Sequence, residues 1–191
     1  MNLPIIKKKV KVAPNMANKG MGLEEMVNST NAYYLINDIA VIHKKPIPIQ
    51  IVRVDYPSRN KAVIKEAYYK TPSTTDYNGI YKGLYIDFDC KECMSLTSFP
   101  IRNVHTHQIE HLKMVKKHGG IAFLLIGFLK YDEYYIYPIE NLIPYYETSL
   151  DGGRKSIPYD TIKSEGYLVK EGFNPRLDYL KGIDLYLQKN R

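Results

Sequence analysis

The first strongly patterned segment of the chain has apolar side chains at helical spacing, which predicts a helix from about residue 21 to residue 34. The apolar stripe consists of Leu23, Met26, Val27, Thr30 and Tyr34. The residues before it differ in character, because 1–15 are basic and marked by prolines. We therefore expect a flexible basic tail over residues 1–15, followed by the folded part of the chain.

Later segments show the patterns of strands and helices in turn. Residues 121–129, IAFLLIGFL, are continuously apolar and predict a fully buried strand, with residues 133–139 as its neighbour. Residues 103–120 predict a helix that ends at a glycine pair, and residues 176–187 predict a closing helix with an apolar stripe. This order of elements predicts a mixed α/β fold, and we expect one domain over residues 16–191.

A hairpin pattern lies in residues 74–92, TTDYNGIYKGLYIDFDCKE, where strand-forming side chains surround several acidic ones. The best candidate for its tight turn is 82–83, because the glycine there accepts a positive φ angle. A two-residue loop at this point pairs Tyr81 with Leu84. A turn at residues 78–79 instead would change the pairing.

The register set by this turn brings polar side chains together. It places Asp76 opposite Asp89, and Thr74 opposite Lys91, with the Cβ atoms of each pair about 5 Å apart. Asp87 lies on the same polar face, whereas the intervening positions of the second strand are apolar and should meet the core. Two carboxylates that face each other repel, and burial makes the repulsion worse.

A divalent cation would remove that repulsion. Mg²⁺ takes one or two carboxylates and keeps its other positions for water and phosphate oxygens. Lys91 follows Asp89 by two residues, so it can orient an attacking water or neutralise charge in the transition state. The polar face therefore has the groups that phosphodiester hydrolysis needs. Solvated charges on an exposed strand are the alternative interpretation.

Basic side chains are frequent in the segment that joins the first strand to this hairpin. Within residues 44–72, the pattern of IQIVRVDY predicts a strand, and AVIKEAYY could return as a strand or a helix. The chain has a net charge of +7 and a pI near 9.2, which favours a polyanionic partner. We interpret the segment as a basic, hairpin-like projection, with a solvated edge as the alternative.

Beyond these patterns, the hairpin resembles the PD-(D/E)xK nuclease motif, and the whole chain resembles the RecU family of Holliday-junction resolvases. The matching segments run in family order across nearly all of the chain beyond the tail. They are NKGMGLEEMVNSTNAYY, IAVIHKKPIPIQIV, KAVIKEAY, STTDYNGIYKG, YIDFDCKE, TSFP, HQIEHLKMV, GGRKSIP and NPRLDYL.

The resemblance implies a restriction-endonuclease-like fold, in which helices flank a mixed central sheet and a basic stalk protrudes at about residues 44–72. It also implies a homodimer whose stalk enters the centre of four-way junction DNA. The metal ligands would be Thr74, Asp76, Asp89 and Gln108, with Lys91 assisting the transition state. Mg²⁺ is the expected ion, with Mn²⁺ as a substitute.

Further residues follow from the resemblance and from charge. The candidate DNA contacts are Lys19, Lys44, Lys45, Arg59 and Lys61. Glu24 is a candidate accessory carboxylate, although a charge in the first turn of a helix is an equally good explanation. The chain also departs from the family, with Asp89 in place of the usual glutamate and Lys19 in place of arginine. Lysine at position 19 keeps the charge but loses the bidentate fork for phosphate.

The sequence CKEC contains a C-x-x-C pattern at Cys90 and Cys93. Positions three apart on a strand face opposite sides, so the two sulfurs should not converge on a zinc ion. A zinc site would also need partners, for which His105, His107 and His111 are candidates. We set the zinc and redox interpretations aside.

These observations favour a Mg²⁺-dependent endonuclease that resolves Holliday junctions by paired symmetric nicks in recombination and DNA repair. The alternatives are a junction-binding architectural or recombinase-modulating protein with weak or no cleavage, and a superfamily nuclease that acts on duplex DNA. A recombinase and a branch-migration motor are candidate partners. The longest apolar run is too short to span a bilayer, and the N-terminus lacks the apolar core of an export signal. We therefore expect a cytoplasmic, nucleoid-associated protein.

Overall fold

A computed structural model describes residues 22–58, 61–70 and 74–190 of the chain. Its helices are α1 (Leu23–Ile36), α2 (Thr106–Lys117), α3 (Ile139–Leu150), α4 (Tyr159–Glu165) and α5 (Tyr179–Lys189). Its strands are β1 (Val41–Lys44), β2 (Ile49–Asp55), β3 (Val63–Tyr69), β4 (Tyr77–Tyr81), β5 (Leu84–Cys93), β6 (Ser98–Pro100), β7 (Ile121–Phe128), β8 (Glu133–Pro138), β9 (Ser156–Pro158) and β10 (Tyr167–Val169). The tail predicted at 1–15 lies outside the described residues.

The central sheet contains six strands in the order β1-β4-β5-β7-β8-β10. Only β5 and β7 pair in parallel, and the other neighbours are antiparallel. Because β7 is an interior strand covered on both faces, its sequence is continuously apolar, and all eight of its residues are buried. The predicted α/β arrangement, a mixed central sheet flanked by helices, is confirmed.

Two hydrophobic cores cover the two faces of this sheet. One core joins the apolar stripe of α1 and the inner side of α5 to alternate residues of β5 and β7. The other core joins α2, α3 and α4 to the remaining residues of β7 and β8. Each position predicted for the buried side of the first helix lies in the core, from Leu23 to Tyr34. That stripe therefore fixes how α1 lies on the sheet.

The β4–β5 hairpin has the predicted turn and register. Lys82 and Gly83 have φ angles of 51° and 76°, the left-handed values that a two-residue hairpin loop requires. Tyr81 pairs with Leu84, and the ladder continues in register to the pair of Tyr77 and Phe88. The apolar face of β5 packs into the core with α1 and α5, so the acidic face turns towards α2.

The two cysteines of CKEC lie on opposite faces of the sheet, as the strand geometry predicts. Cys90 packs in the core beside α1, whereas Cys93 packs in the core beside α2 and α3. Neither forms a disulfide. This separation prevents the two sulfurs from binding one ion.

Strands β2 and β3 form a two-stranded antiparallel sheet that is not part of the central one. We call residues 44–70 the stalk. All seven residues of β3 and the first five of β2 are exposed. The pairing contains two bulges, with Val52 extra on β2 and Lys65 extra on β3. The return segment, for which the sequence allowed a strand or a helix, is therefore a strand.

Several short elements were absent from the sequence prediction. They are the small β6–β9 sheet, the helix α4 and the edge strand β10. Each of these strands has three residues, which is too short to show a period, and α4 has seven. Within the described residues, no helix combines the length and the apolar character needed to cross a membrane.

Candidate active site

Asp89 is a buried carboxylate in the interior of the central sheet. It lies on β5, between β4 and β7, and none of its surface is exposed. Its Oδ1 accepts a hydrogen bond of 3.0 Å from Nε2 of Gln108 on α2. Its Oδ2 accepts no hydrogen bond of normal geometry within the described residues, although Nζ of Lys91 forms an ion pair with it at 2.5 Å. This buried carboxylate oxygen therefore lies against the ammonium of Lys91.

Asp76 lies beside Asp89, one residue before the β4–β5 ladder begins. Its Oδ2 accepts a hydrogen bond of 2.9 Å from the main-chain N–H of Cys90. Its main-chain carbonyl accepts one of 2.7 Å from the N–H of Lys45. These bonds turn the carboxylate towards β5, so the two acidic side chains meet at the end of the hairpin, as the register predicts.

Electrostatics at Asp89 follow from its position. Burial raises its pKa, the charge of Lys91 opposes the increase, and the neighbouring Asp76 carboxylate adds to it, with a result of about 7. A carboxyl group with such a pKa holds a proton at slightly acidic pH unless a cation replaces that proton. Metal binding at Asp89 should therefore be linked to proton release.

We expect the affinity for Mn²⁺ to fall as the pH drops through about 7, because the pKa of Asp89 is raised and the proton competes with the metal. Below that pH the affinity should fall by up to about tenfold per pH unit, and above it the affinity should level off. Calorimetry in buffers of different ionisation enthalpy should count up to one proton released per Mn²⁺ at pH 6 and nearly none at pH 8. Binding at pH 6 without proton release would contradict the assignment.

The donor set suits a hard divalent ion. The described residues contain no group of three His, Cys, Asp or Glu side chains that could hold a metal. Two carboxylates are what Mg²⁺ takes from a protein when water and phosphate supply its other oxygens. The buried Oδ2 of Asp89 and the adjacent Asp76 carboxylate fit this ion, with Lys91 close enough to neutralise charge on a bound phosphate.

The other two predicted metal ligands, Gln108 and Thr74, each have their side-chain oxygen engaged in a hydrogen bond. Gln108 approaches Asp89 through its amide nitrogen, while its Oε1 accepts a hydrogen bond of 3.1 Å from the N–H of His105. Ligation through that oxygen therefore requires the amide to turn over. Thr74 is exposed and does not pair with Lys91, and its Oγ1 accepts a hydrogen bond of 3.1 Å from Nζ of Lys45. That hydroxyl retains a second lone pair for a cation.

The sequence profile of RecU, Recombination protein U, matches residues 18–185. The chain belongs to the RecU family. A relative named Holliday junction resolvase RecU, from Bacillus cereus (strain B4264), is 53% identical over 169 residues, which cover 88% of this chain and 84% of the relative.

A second RecU relative, from Bacillus mycoides (strain KBAB4), carries the same name. It is 54% identical over 168 residues, which cover 88% of this chain and 84% of the relative. Among solved structures, Hjc, a Holliday junction resolvase of Archaeoglobus fulgidus, is similar over 50% of this chain and 71% of its own. That similarity has a TM-score of 0.34 and 13% sequence identity.

The candidate DNA contacts, predicted from the RecU resemblance and from charge, fall into three groups. Lys19 and Arg59 lie outside the described residues. Lys61 is exposed at the end of the stalk, just before β3, and forms no ion pair within the described part of the chain. The other two have acidic partners, since Nζ of Lys44 pairs with Glu24 and Nζ of Lys45 pairs with the buried Asp87. Of the described members, Lys61 is therefore the one whose ammonium has no acidic partner.

Glu24 lies in the first turn of α1 and lines a recess with Cys90 and Glu92. Its carboxylate holds Lys44 and raises the pKa of that ammonium through a hydrogen bond. Glu92 has a separate structural task, because its Oε1 accepts a hydrogen bond of 2.6 Å from the N–H of Leu23. Glycine at the N-cap has no side chain for this purpose, so Glu92 caps the helix from β5.

Sequence reasoning missed the group around Asp87. Asp87 is fully buried on the same face as Asp89, and Nε2 of His111 lies 2.9 Å from its Oδ2. A signal was present, because Asp87 and Asp89 are two apart on a strand while Gln108 and His111 are three apart on a helix. Two facing pairs of this spacing indicate that α2 lies along β5.

Proposed function

We propose that this chain is a Mg²⁺-dependent, structure-selective endonuclease that resolves Holliday junctions by paired symmetric nicks in recombination and DNA repair. Membership of the RecU family makes the chain a nuclease of the resolvase class, and the proposal adds the ion, the cleavage pattern and the residues. The observation that supports it most strongly is the buried carboxylate of Asp89, which lies beside the Asp76 carboxylate and has its Oδ2 2.5 Å from Nζ of Lys91.

The side chains of the site have separate tasks in this proposal. Asp76 and Asp89 hold the cation, and Thr74 and Gln108 supply further oxygens once the amide has turned. When bound, Mg²⁺ supplies charge neutralisation and an activated water. Lys91 stabilises the negative charge that develops on the phosphate, since its ammonium is already fixed beside Asp89.

DNA contacts in the proposal come from the basic side chains of the stalk and its surroundings. Lys61 and Lys44 are the described candidates, and Lys19 and Arg59 are included on the sequence resemblance. Phosphate contacts supply most of the affinity for DNA without reading its sequence. A projecting stalk adds shape selectivity, because a four-way junction has a central opening that a duplex lacks.

A homodimer is part of the proposal, since a Holliday junction is close to two-fold symmetric and resolution requires two cuts. One chain supplies one candidate site at Asp76, Asp89 and Lys91, so two chains related by a two-fold axis match the substrate.

We place the protein in the cytoplasm at the nucleoid, with a recombinase and a branch-migration motor as partners. We also propose that residues 16–191 form one nuclease domain, which follows a tail at residues 1–15.

A single gel experiment tests the proposed function. Labelled four-way junction and a duplex of the same sequence are incubated with the protein, with and without Mg²⁺, and Asp89→Asn serves as the matched control. We expect paired nicks at symmetry-equivalent positions in the junction only, in the presence of Mg²⁺ only. Junction binding without cleavage would instead support the architectural role, and equal cutting of the duplex would support a nuclease of another specificity.

A further inference from the structure

Asp87 is a second buried carboxylate on β5, and it is not part of the candidate metal pair. Its side chain has no exposed surface. It receives hydrogen bonds from Tyr85 OH at 2.8 Å, from Nζ of Lys45 at 2.8 Å and from Oγ1 of Thr75, and Nε2 of His111 lies 2.9 Å away. We call these five residues the Asp87 network. Such an elaborate set of partners for one carboxylate requires an explanation.

Lys45 is the cation of this network, and its ammonium is fully used inside the protein. Its side chain is only 15% exposed. Nζ lies 2.8 Å from Asp87 Oδ2, 2.5 Å from Thr75 Oγ1 and 3.1 Å from Thr74 Oγ1. An ammonium has three hydrogens, and these three oxygens, together with Nε2 of His111 at 3.4 Å, more than account for them. A DNA phosphate would have to displace one of these partners to bind Lys45.

Lys45 forms hydrogen bonds with each residue of the segment 74–76, which contains the candidate metal ligand Asp76. The ammonium holds the hydroxyls of Thr74 and Thr75, and the main-chain N–H of Lys45 donates to the carbonyl of Asp76 at 2.7 Å. Asp76 precedes the β4–β5 ladder, so the main-chain hydrogen bonds of that ladder do not hold it, although its carboxylate accepts one of 2.9 Å from the N–H of Cys90 on β5. Lys45 therefore holds the main chain and the threonine hydroxyls of the segment where the ladder does not.

Lys45 also occupies the point where the chain leaves the central sheet for the stalk. It follows β1, which ends at Lys44, and it precedes β2, which begins at Ile49. Pro46 and Pro48 stand between Lys45 and the stalk strand and restrict the backbone there. The base of the stalk and the segment 74–76 thus share one anchor, which is bound to a fully buried carboxylate.

We propose that Lys45 is a positioning residue that fixes the metal-binding segment 74–76 against Asp87 and connects it to the base of the stalk. This inference rests on the proposed function of Asp76 and Asp89 as metal ligands. Displacement of the stalk base, when a junction is bound, would reach the ligands through Lys45. The residue acts through Thr74, Thr75 and Asp76, and it does not contact the DNA.

The test compares wild-type protein with Lys45→Met, which removes the charge and keeps a long side chain. We expect Mn²⁺ affinity of the full chain without DNA, measured by calorimetry, to fall by about tenfold or more, as when the support of a metal ligand is lost. The junction Kd, measured in EDTA, and its salt dependence should not change. Lys163→Met, an exposed lysine that pairs with Glu133 at 3.7 Å, should match the wild type in both measurements.

The opposite pattern would overturn the inference. A weaker junction Kd, with a salt slope smaller by about one unit and unchanged Mn²⁺ affinity, would make Lys45 an ordinary phosphate contact. If Lys45→Met does not fold, the double variant Lys45→Met with Asp87→Asn removes both buried charges and serves instead. Wild-type Mn²⁺ affinity in that variant would equally reject the inference.

Different results would refute the proposed nuclease function and the proposed role of Lys45. Wild-type protein that binds Mn²⁺ but does not cut the junction would refute the proposed nuclease. The comparison of Mn²⁺ affinity between wild type and Lys45→Met would still decide the role of Lys45. Wild-type protein that does not bind Mn²⁺ would refute both.

Discussion

Junction cleavage is expected to disappear in Asp76→Asn and in Asp89→Asn, while the affinity for the four-way junction stays close to that of the wild type. Asparagine keeps the size of the side chain but removes the charge that holds the cation. We expect cleavage to fall by about 10²–10³-fold or more, the range seen when one charge-stabilising group leaves an active site. Binding should persist because phosphate contacts, and not these carboxylates, supply the affinity.

The matched control for this prediction is Asp89→Glu. It restores the glutamate usual in the family and retains the charge, so we expect clear cleavage activity where Asp89→Asn has none. Single-turnover rates on a labelled junction, together with Kd values measured in EDTA, separate the two effects. Nicking by either asparagine variant at the wild-type rate would falsify the metal assignment.

Lys91→Ala should lower the single-turnover rate by about a hundredfold or more at saturating junction. The side chain of Lys91 is mostly buried and its ammonium lies 2.5 Å from Asp89 Oδ2, so its charge is fixed next to the proposed metal site. A charge fixed in this way needs no reorganisation during the reaction, and its removal should act on the rate and not on Kd.

Two variants sharpen the prediction for Lys91. Lys91→Arg keeps the charge and should recover part of the rate, whereas Lys163→Ala removes an exposed charge elsewhere and should change nothing. If Lys91→Ala turned over the junction at a near-normal rate, Lys91 would be a structural partner of Asp89 with no part in the chemistry.

The hairpin shows how much of the site could be predicted from sequence. Gly83 identified the turn, the turn determined the register, and the register brought Asp76 next to Asp89 without any knowledge of the fold. The helix α1 and the strand β7 could also be predicted from sequence. A helix buried on one face has apolar residues at helical spacing, and a strand buried on both faces has a continuous apolar run.

Other features could not be predicted, for physical reasons. Lys45 has the same sequence signature as its exposed neighbours, since a pattern does not show which lysine turns inwards to a buried carboxylate. Gln108 came from the family resemblance alone, because an amide on a helix has no distinguishing context. The strands β6, β9 and β10 are set by tertiary pairing, which overrides the weak preferences of three residues.

The bulges in the stalk have a consequence for how the protein behaves at high concentration. An isolated two-stranded sheet with exposed isoleucine, valine and tyrosine side chains offers two open edges to strands of other molecules. The extra residues Val52 and Lys65 break the regular spacing of backbone groups and increase the local twist. Lys65 also adds a charge that a third strand would have to accommodate. The stalk can therefore stay exposed without serving as a template for edge-to-edge aggregation.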